Sequence, residues 1–362
     1  MNDRIPEYRV LFVTKTGRIN APYLDPSVRY RCFNPAEVFS ARGIKSDVLT
    51  QDKLEISFLD NYDAFVFHRP DASEAKVAMF VELARVRGKT VVADYDDLIF
   101  APEYALQSSI FLNGNATEDQ VEAIFKRNFK GFSLFDAFTV STEPLAEQVR
   151  KLKPQARVLV VPNGLSRRLL DIYPAPSLTA ERRLQMTKKV FSYLSGTASH
   201  VPDIAYVAEA MAEFLSAHRE ARFAIGGPIK LPDVLLYAPG IVRQPYREFV
   251  EFFSSAASFY ANIAPLAPGS VFNNCKSGLK FFESGIWGVP TIASPIADFK
   301  RFADSPGLIL AESPEEWRAA FERLMDADEY RRAAAGLRDY CRAHCMADEP
   351  AMRQLAFLQK GE

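Results

Sequence analysis

Short unbroken runs of Val, Leu, Ile and Phe alternate with helix-patterned stretches, and the alternation starts again about half-way along the chain. This restart constrains the fold more than any other feature. A strand buried on both faces reads as a continuous apolar run rather than as apolar–polar alternation. Such runs between amphipathic helices mark a parallel sheet with helices on each side. In the first half the spacing predicts strands at Arg9–Thr14, 47–50, Ala64–His68, 90–93, Ala137–Val140 and 158–161. Helical patterns lie between them at 26–41, 74–87, 119–132 and 144–152. The second half predicts strands at 190–194, 222–225, 241–243, 258–263 and Thr291–Ala293. Its helices fall at 202–217, 246–256, 274–287, Pro314–Met325 and from Ala327 onward.

The two halves meet near Pro162-Asn163-Gly164. A chain of 362 residues suits two domains, with a cleft between them as the natural ligand site. Lys plus Arg number 44 and Asp plus Glu 45, a net charge of −1, which argues against a nucleic-acid binder. The opening MNDRIPEYRVLFVTK carries charge where a secretion signal needs an apolar stretch, so a cytoplasmic protein is expected. The longest charge-free run, 252–275, is interrupted by Pro265, Pro268 and Gly269 and cannot be one spanning helix. Membrane association, where it occurs, is expected to be peripheral, at the inner face. Four cysteines without a C-x-x-C pair read as reduced thiols. Cys341, His344 and Cys345 are read as ordinary buried or surface side chains rather than as a zinc set.

Several segments at strand ends carry chemistry. Gly17, in the first strand-to-helix turn, admits a close backbone approach or simply belongs to a loop. The turn lacks the G-x-G-x-x-G dinucleotide pattern. Arg29 and Arg31 lie two apart and so on different helix sides. One of them suits a ligand and the other a salt bridge. Gly17, Arg29 and Arg69, the last just beyond the third strand, form the candidate acceptor or cleft set. Asp94-Tyr95-Asp96-Asp97 ends the fourth strand. Its carboxylates suit a divalent metal, a base or hydrogen-bond acceptor for a substrate hydroxyl, or a helix cap. Ser195, Gly196 and Thr197 offer backbone N–H groups to phosphate, and His200 follows as a diphosphate ligand or acid/base. Gly226-Gly227-Pro228 repeats the small-residue strand end. The fullest signal is the segment from Asn273 to Gly285. On a helix starting near Asn274, Lys276, Lys280 and Glu283 share one face, with the asparagines as caps. Lysines near a helix start favour phosphate, and a carboxylate one turn deeper suits a ribose hydroxyl.

These residues make the chain similar to a GT-B glycosyltransferase. It most resembles the large retaining family that includes many bacterial polysaccharide and lipopolysaccharide transferases. The resemblance runs through Val161-Pro162-Asn163-Gly164, Ser195-Gly196-Thr197, Gly226-Gly227-Pro228, Lys280-x-x-Glu283 and Gly288-Val289-Pro290-Thr291-Ile292. It implies an α/β GT-B fold of two Rossmann-like domains whose parallel sheets face a central cleft. Residues 1–163 would bind the acceptor and 164–344 the nucleotide sugar, with 345–362 packing back on the first domain. It also implies that Glu283 meets the donor ribose. Asp94, Asp96, Asp97, His200 and Lys280 are the candidate catalytic residues from their placement in the chain. No metal and no further cofactor are expected beyond the nucleotide-sugar co-substrate, and the acceptor would be a glycan or a lipid-linked one. The family often has a first glutamate eight positions before the second. Cys275 stands there, and the usual basic pair is not plain, which marks a divergent branch. The D-x-D at Asp94 also resembles the metal site of the other large sugar-transferase fold, which is the basis of a single-domain, metal-dependent alternative. An epimerase or hydrolase on the GT-B fold and a non-catalytic subunit are the other readings.

Overall fold

A computed structural model describes residues 8–172, 178–195 and 201–360. Contacts divide the chain into two compact units. The first comprises residues 1–106, 118–168 and 346–362, and the second 107–117 and 169–345. The chain therefore crosses between units more than once rather than splitting at a single junction.

The first unit holds one parallel six-stranded sheet. Its strands are β1 (Arg9–Thr14), β2 (Lys45–Thr50), β3 (Ala64–His68), β4 (Thr90–Tyr95), β5 (Ala137–Val140) and β6 (Arg157–Val160), in the order β2-β1-β3-β4-β5-β6. One face is covered by Val28, Cys32, Ala36 and Phe39. Ala351, Leu355 and Leu358 of the helix Asp348–Gln359 complete that cover. Elsewhere aromatic pairs fill the core, with ring centroids of Phe65 and Phe80 4.9 Å apart and of Phe100 and Phe132 4.8 Å apart.

The second unit repeats the plan with β7 (Lys189–Leu194), β8 (Ala221–Gly226), β9 (Ile241–Gln244), β10 (Ala261–Ala264), β11 (Thr291–Ala293) and β12 (Leu308–Leu310). Their order is β12-β11-β10-β7-β8-β9. Counted from β7, this is the 3-2-1-4-5-6 Rossmann order, whose ligand crevice lies beyond the strand ends where the order reverses. That point is between β7 and β10 here, and between β1 and β3 in the first unit. The core around Phe191, Phe214, Phe223, Tyr260, Trp317 and Phe321 holds the second sheet's helices in place.

Several expected elements differ. The stretch 26–41 is interrupted by a wider turn over Arg29–Phe33, where the Asn34 N–H reaches back to the Arg29 carbonyl. The expected helix 274–287 is two helices, Val271–Asn274 and Leu279–Gly285. The helical tail after Ala327 breaks at Gly336, whose φ of +68° favours glycine. Among the described residues no helix is long and apolar enough to cross a membrane.

Candidate functional site

In the second unit, the short helix Leu279–Gly285 carries Lys280 to the end of β7, where its Nζ donates to the Leu194 carbonyl at 2.5 Å. An ammonium has three N–H donors, and the described residues give it this one acceptor. Burial pushes the Lys280 pKa down, against the nearby Glu283 charge, which favours the ammonium. Glu283 is itself buried, at 5% exposure. The helix is held from three sides. Asp298 accepts from the Gly278 N–H at 2.6 Å and from the Ser277 hydroxyl at 3.2 Å. Asn262, on β10, donates to the Lys280 carbonyl at 3.1 Å and to the Thr291 hydroxyl at 3.3 Å. Arg183 donates to the Trp287 and Gly288 carbonyls just past its far end.

Those same contacts explain why one long helix does not form. Asp298 captures the Gly278 N–H and the Ser277 hydroxyl, and Ser270, not an asparagine, caps Val271–Asn274. Lys276 therefore sits in the link between helices, 5.1 Å from the Phe272 ring centroid, and does not share a helical face with Lys280 and Glu283. Asn273 braces a loop instead of capping, donating to Asp203 at 3.1 Å and to the Ala267 carbonyl at 3.0 Å. Gly227 adopts φ +88°, and a Cβ there would stand 2.2 Å from the Ser195 carbonyl oxygen. The close approach that this glycine permits is thus between two strand-end turns of the chain itself. Ser195 is buried at 5% exposure. Gly196, Thr197 and His200 lie outside the described residues.

In the first unit the parallel register aligns Thr50, Thr14, His68, Asp94 and Thr139 across five strands. Paired residues of neighbouring strands share a sheet face, so these form one polar row near the strand ends, each at most 3% exposed. Arg31 meets this row. Its Nε and Nη2 donate to the two Asp94 oxygens at 2.9 and 2.6 Å, while Nη1 donates to the Val161 carbonyl and Asn163 Oδ1. The Thr139 hydroxyl also donates to Asp94 at 2.6 Å. Asp94 thus stands in a buried ion pair at 0% exposure, and its carboxylate offers no surface to a substrate. Arg29 turns to Glu37, with 2.7 Å between Nη2 and Oε1, while its buried Nε has no hydrogen-bond partner among the described residues.

The more accessible polar groups centre on Asp96. Arg69 Nε donates to it at 2.7 Å, the Ser27 hydroxyl donates to its other oxygen, and His68 Nε2 stands 3.3 Å away. The other His68 ring nitrogen lies 2.8 Å from the Thr14 hydroxyl. Burial alone would push the Asp96 carboxyl up, but the Arg69 charge, and after it the His68 hydrogen bond, hold it well below the usual carboxylate range. Arg69 has φ +49°, the one positive value for a non-glycine among the described residues, and its N–H donates to the Asp94 carbonyl. Backbone strain of this kind gathers at ligand sites. Asp97 is half-buried and turns one oxygen to the Leu98 N–H. A Cβ on Gly17 would meet nothing within 4 Å. Among the described residues, no three His, Cys, Asp or Glu side chains gather as a metal site. His68 escaped the sequence reading. Its signal was a histidine at a strand's carboxyl end in a chain with four histidines.

The Asp96 arrangement has a pH signature. A carboxylate held below its unfolded value adds stability above that value, about pH 4, and loses it as pH falls through the lower, folded value. Asp96→Asn should therefore cost about 1.5–3 kcal/mol near neutral pH. The difference from wild type should shrink to nothing in strong acid. Urea midpoints measured from pH 2 to 7 check this, and a pH-independent difference would contradict it.

No family model matches the sequence, and no curated protein does. Solved structures do match. The sucrose-phosphate synthase of Thermosynechococcus elongatus aligns with a TM-score of 0.63 at 12% identity, over 97% of this chain and 98% of its own. A glycosyltransferase from Rickettsia africae gives 0.62 at 10% identity, over 98% of each chain. HepE of Anabaena, solved in complex with UDP and glucose, gives 0.61 at 12% identity, over 98% of this chain and 100% of its own. Full-length agreement with such structures, together with two parallel six-stranded sheets, decides the architecture. The chain has the GT-B fold. In this GT-B fold the polar groups around Lys280 and those around Asp96 each lie where their own sheet's strand order reverses.

Proposed function

We propose that this GT-B chain is a glycosyltransferase that moves a sugar from a nucleotide-sugar donor to a hydroxyl of a glycan or lipid-linked acceptor. The observation that carries the reading is Lys280, an ammonium held against the end of β7 at the Rossmann switch point, with Glu283 one turn along the same helix. As the glycosidic bond breaks, negative charge builds on the leaving diphosphate. A fixed ammonium in a partly desolvated site stabilises that charge where it appears. Glu283 is assigned to a ribose hydroxyl and Ser195 to a phosphate contact. In this reading side chains meet the leaving-group charge without a metal. HepE was solved with UDP, which makes UDP the first ligand to try.

The first unit is assigned to the acceptor. Asp96, held ionised by Arg69, suits a strong hydrogen-bond acceptor that orients the incoming hydroxyl better than it suits a base that takes its proton. Asp97 and Gly17 border the same strand ends. The run Asp94–Leu98 resembles a segment of some bacterial surface-polysaccharide transferases, which supports that class of acceptor.

Calorimetry with UDP, GDP and ADP, repeated with a chelator present, tests the donor site. Wild type should bind one of them. Lys280→Ala and Glu283→Ala should each weaken binding about 10- to 100-fold, the loss of a charge-assisted contact. Wild-type affinity in both variants would overturn the assignment. Donor turnover that is equal with and without acceptor would favour hydrolysis or epimerisation over transfer.

A further inference from the structure

We propose that Gln107 and Asn113 are positioning residues of the second unit's crevice, brought there by a strap of chain from the first half of the sequence. This rests on reading that crevice as the donor site. Between β4 and β5 the chain leaves the first unit after Leu106, and residues 107–117 belong with the second unit. The strap is folded locally. It contains the short helix Ser109–Leu112, closed by Gly114 N–H donating to the Phe111 carbonyl at 2.8 Å.

Two amide oxygens of the strap accept from backbone N–H groups at the starts of crevice helices. Gln107 Oε1 accepts from the Val271 N–H at 3.1 Å and from the Ser270 hydroxyl at 3.4 Å. Asn113 Oδ1 accepts from the Val201 N–H at 2.9 Å. The first N–H groups of a helix have no partner within it and need an acceptor from elsewhere. Ser270 already accepts from the Asn273 N–H, so the Val271 N–H is left to Gln107.

Asp203 joins the two capped segments. It lies two residues past Val201 and accepts from the Ala267 N–H at 2.8 Å and from Asn273 Nδ2 at 3.1 Å. The contacts thus close into a ring: strap to Val201, Asp203 to Asn273, Ser270 and Val271 back to strap. Its members follow β7 and β10, the two strands that flank the switch point. The ring fixes the separation of Val201 and Val271, the helix starts that a donor would lie between. The residues that close it stand 88 and 164 positions away from the N–H groups that they serve. No local signal supplies these caps, so the geometry points to the strap as the rim's organiser.

The test uses the full chain, UDP, GDP and ADP as probes, and steady-state turnover of the corresponding nucleotide sugar. Gln107→Ala and Asn113→Ala together should raise the Kd of the nucleotide that wild type binds about fivefold or more. They should raise donor KM by a similar factor and leave kcat nearly unchanged, since neither residue touches the reacting atoms. Gln107→Glu and Asn113→Asp keep an acceptor oxygen and should restore affinity to within about twofold of wild type. A merely structural role would lower the melting temperature without that split or that rescue. If the double variant does not fold, the two single alanine variants carry the same comparison. Wild-type Kd and KM in the alanine variants would overturn the proposal while leaving the donor site intact. If wild type binds none of the three nucleotides, the donor reading fails and this proposal with it.

Discussion

Asp94→Ala should lower the stability of the first unit by about 3–5 kcal/mol, and Arg31→Met should do the same. Both groups are buried, at 0% and 2% exposure. Removing one leaves the other charged, buried and without its ion-pair partner, which is the expensive half of a buried ion pair. The loss reaches beyond the pair. Arg31 also holds the Val161 carbonyl and Asn163, so it ties the helical stretch near Asn34 to β4 and to the segment after β6. Asn34 adds a parallel tie by donating to the Gly164 carbonyl at 2.8 Å. Gly164 tolerates no side chain, since a Cβ would stand 2.6 Å from the Ala347 nitrogen. The combined change Arg31→Met with Asp94→Leu should recover much of the loss, because it leaves no orphaned charge. Urea unfolding followed by far-ultraviolet circular dichroism measures all three. Singles that unfold like wild type would show that the pair contributes little.

The second large effect is expected at Arg183→Met, again about 3–5 kcal/mol. Arg183 is 1% exposed, and the described residues give it no carboxylate. Its guanidinium donates instead to five backbone carbonyls: Leu178, Ala257, Phe259, Trp287 and Gly288. A planar fork of donors can serve several acceptors at once. A lysine has three donors on one nitrogen and cannot reproduce that spread. Arg183→Lys should therefore recover less than half of the loss. Both tryptophans, Trp287 and Trp317, belong to the second unit, so their fluorescence reports its unfolding. The Trp287 and Gly288 carbonyls follow the helix that bears Lys280, so nucleotide affinity should fall with stability. Equal midpoints for wild type and Arg183→Met would contradict the argument.

Much of the fold was legible because it is local. β1, β3, β5 and β11 fall where their apolar runs predicted. β12 was missed, since three residues, Leu308–Leu310, are too few to show a pattern, and their pairing with β11 is what makes them a strand. The Lys280–Glu283 spacing survived because i,i+3 geometry is a property of one short helix. Lys276 did not stay with them, because Asp298, from a later segment, breaks the helix at Gly278. The role of Asp94 was illegible for a similar reason. Its partner lies 63 residues away, on a turn whose widened geometry no propensity rule announces. A carboxylate cluster at a strand end looks the same in sequence whether it faces a ligand or a buried arginine.

The helix Asp348–Gln359 belongs to the first unit although all of the second is made before it. On the ribosome, Val10, Phe12 and Val66 emerge early, yet Ala351, Leu355 and Leu358 that help cover their face come roughly 180 residues after Arg168. At about 5–20 residues per second, that is a wait of roughly 10–35 s with an apolar sheet face incompletely covered. The second unit can finish during that wait. The sheet made first is thus the one whose cover is completed last, which lengthens the time an apolar face is open to chaperones and to aggregation.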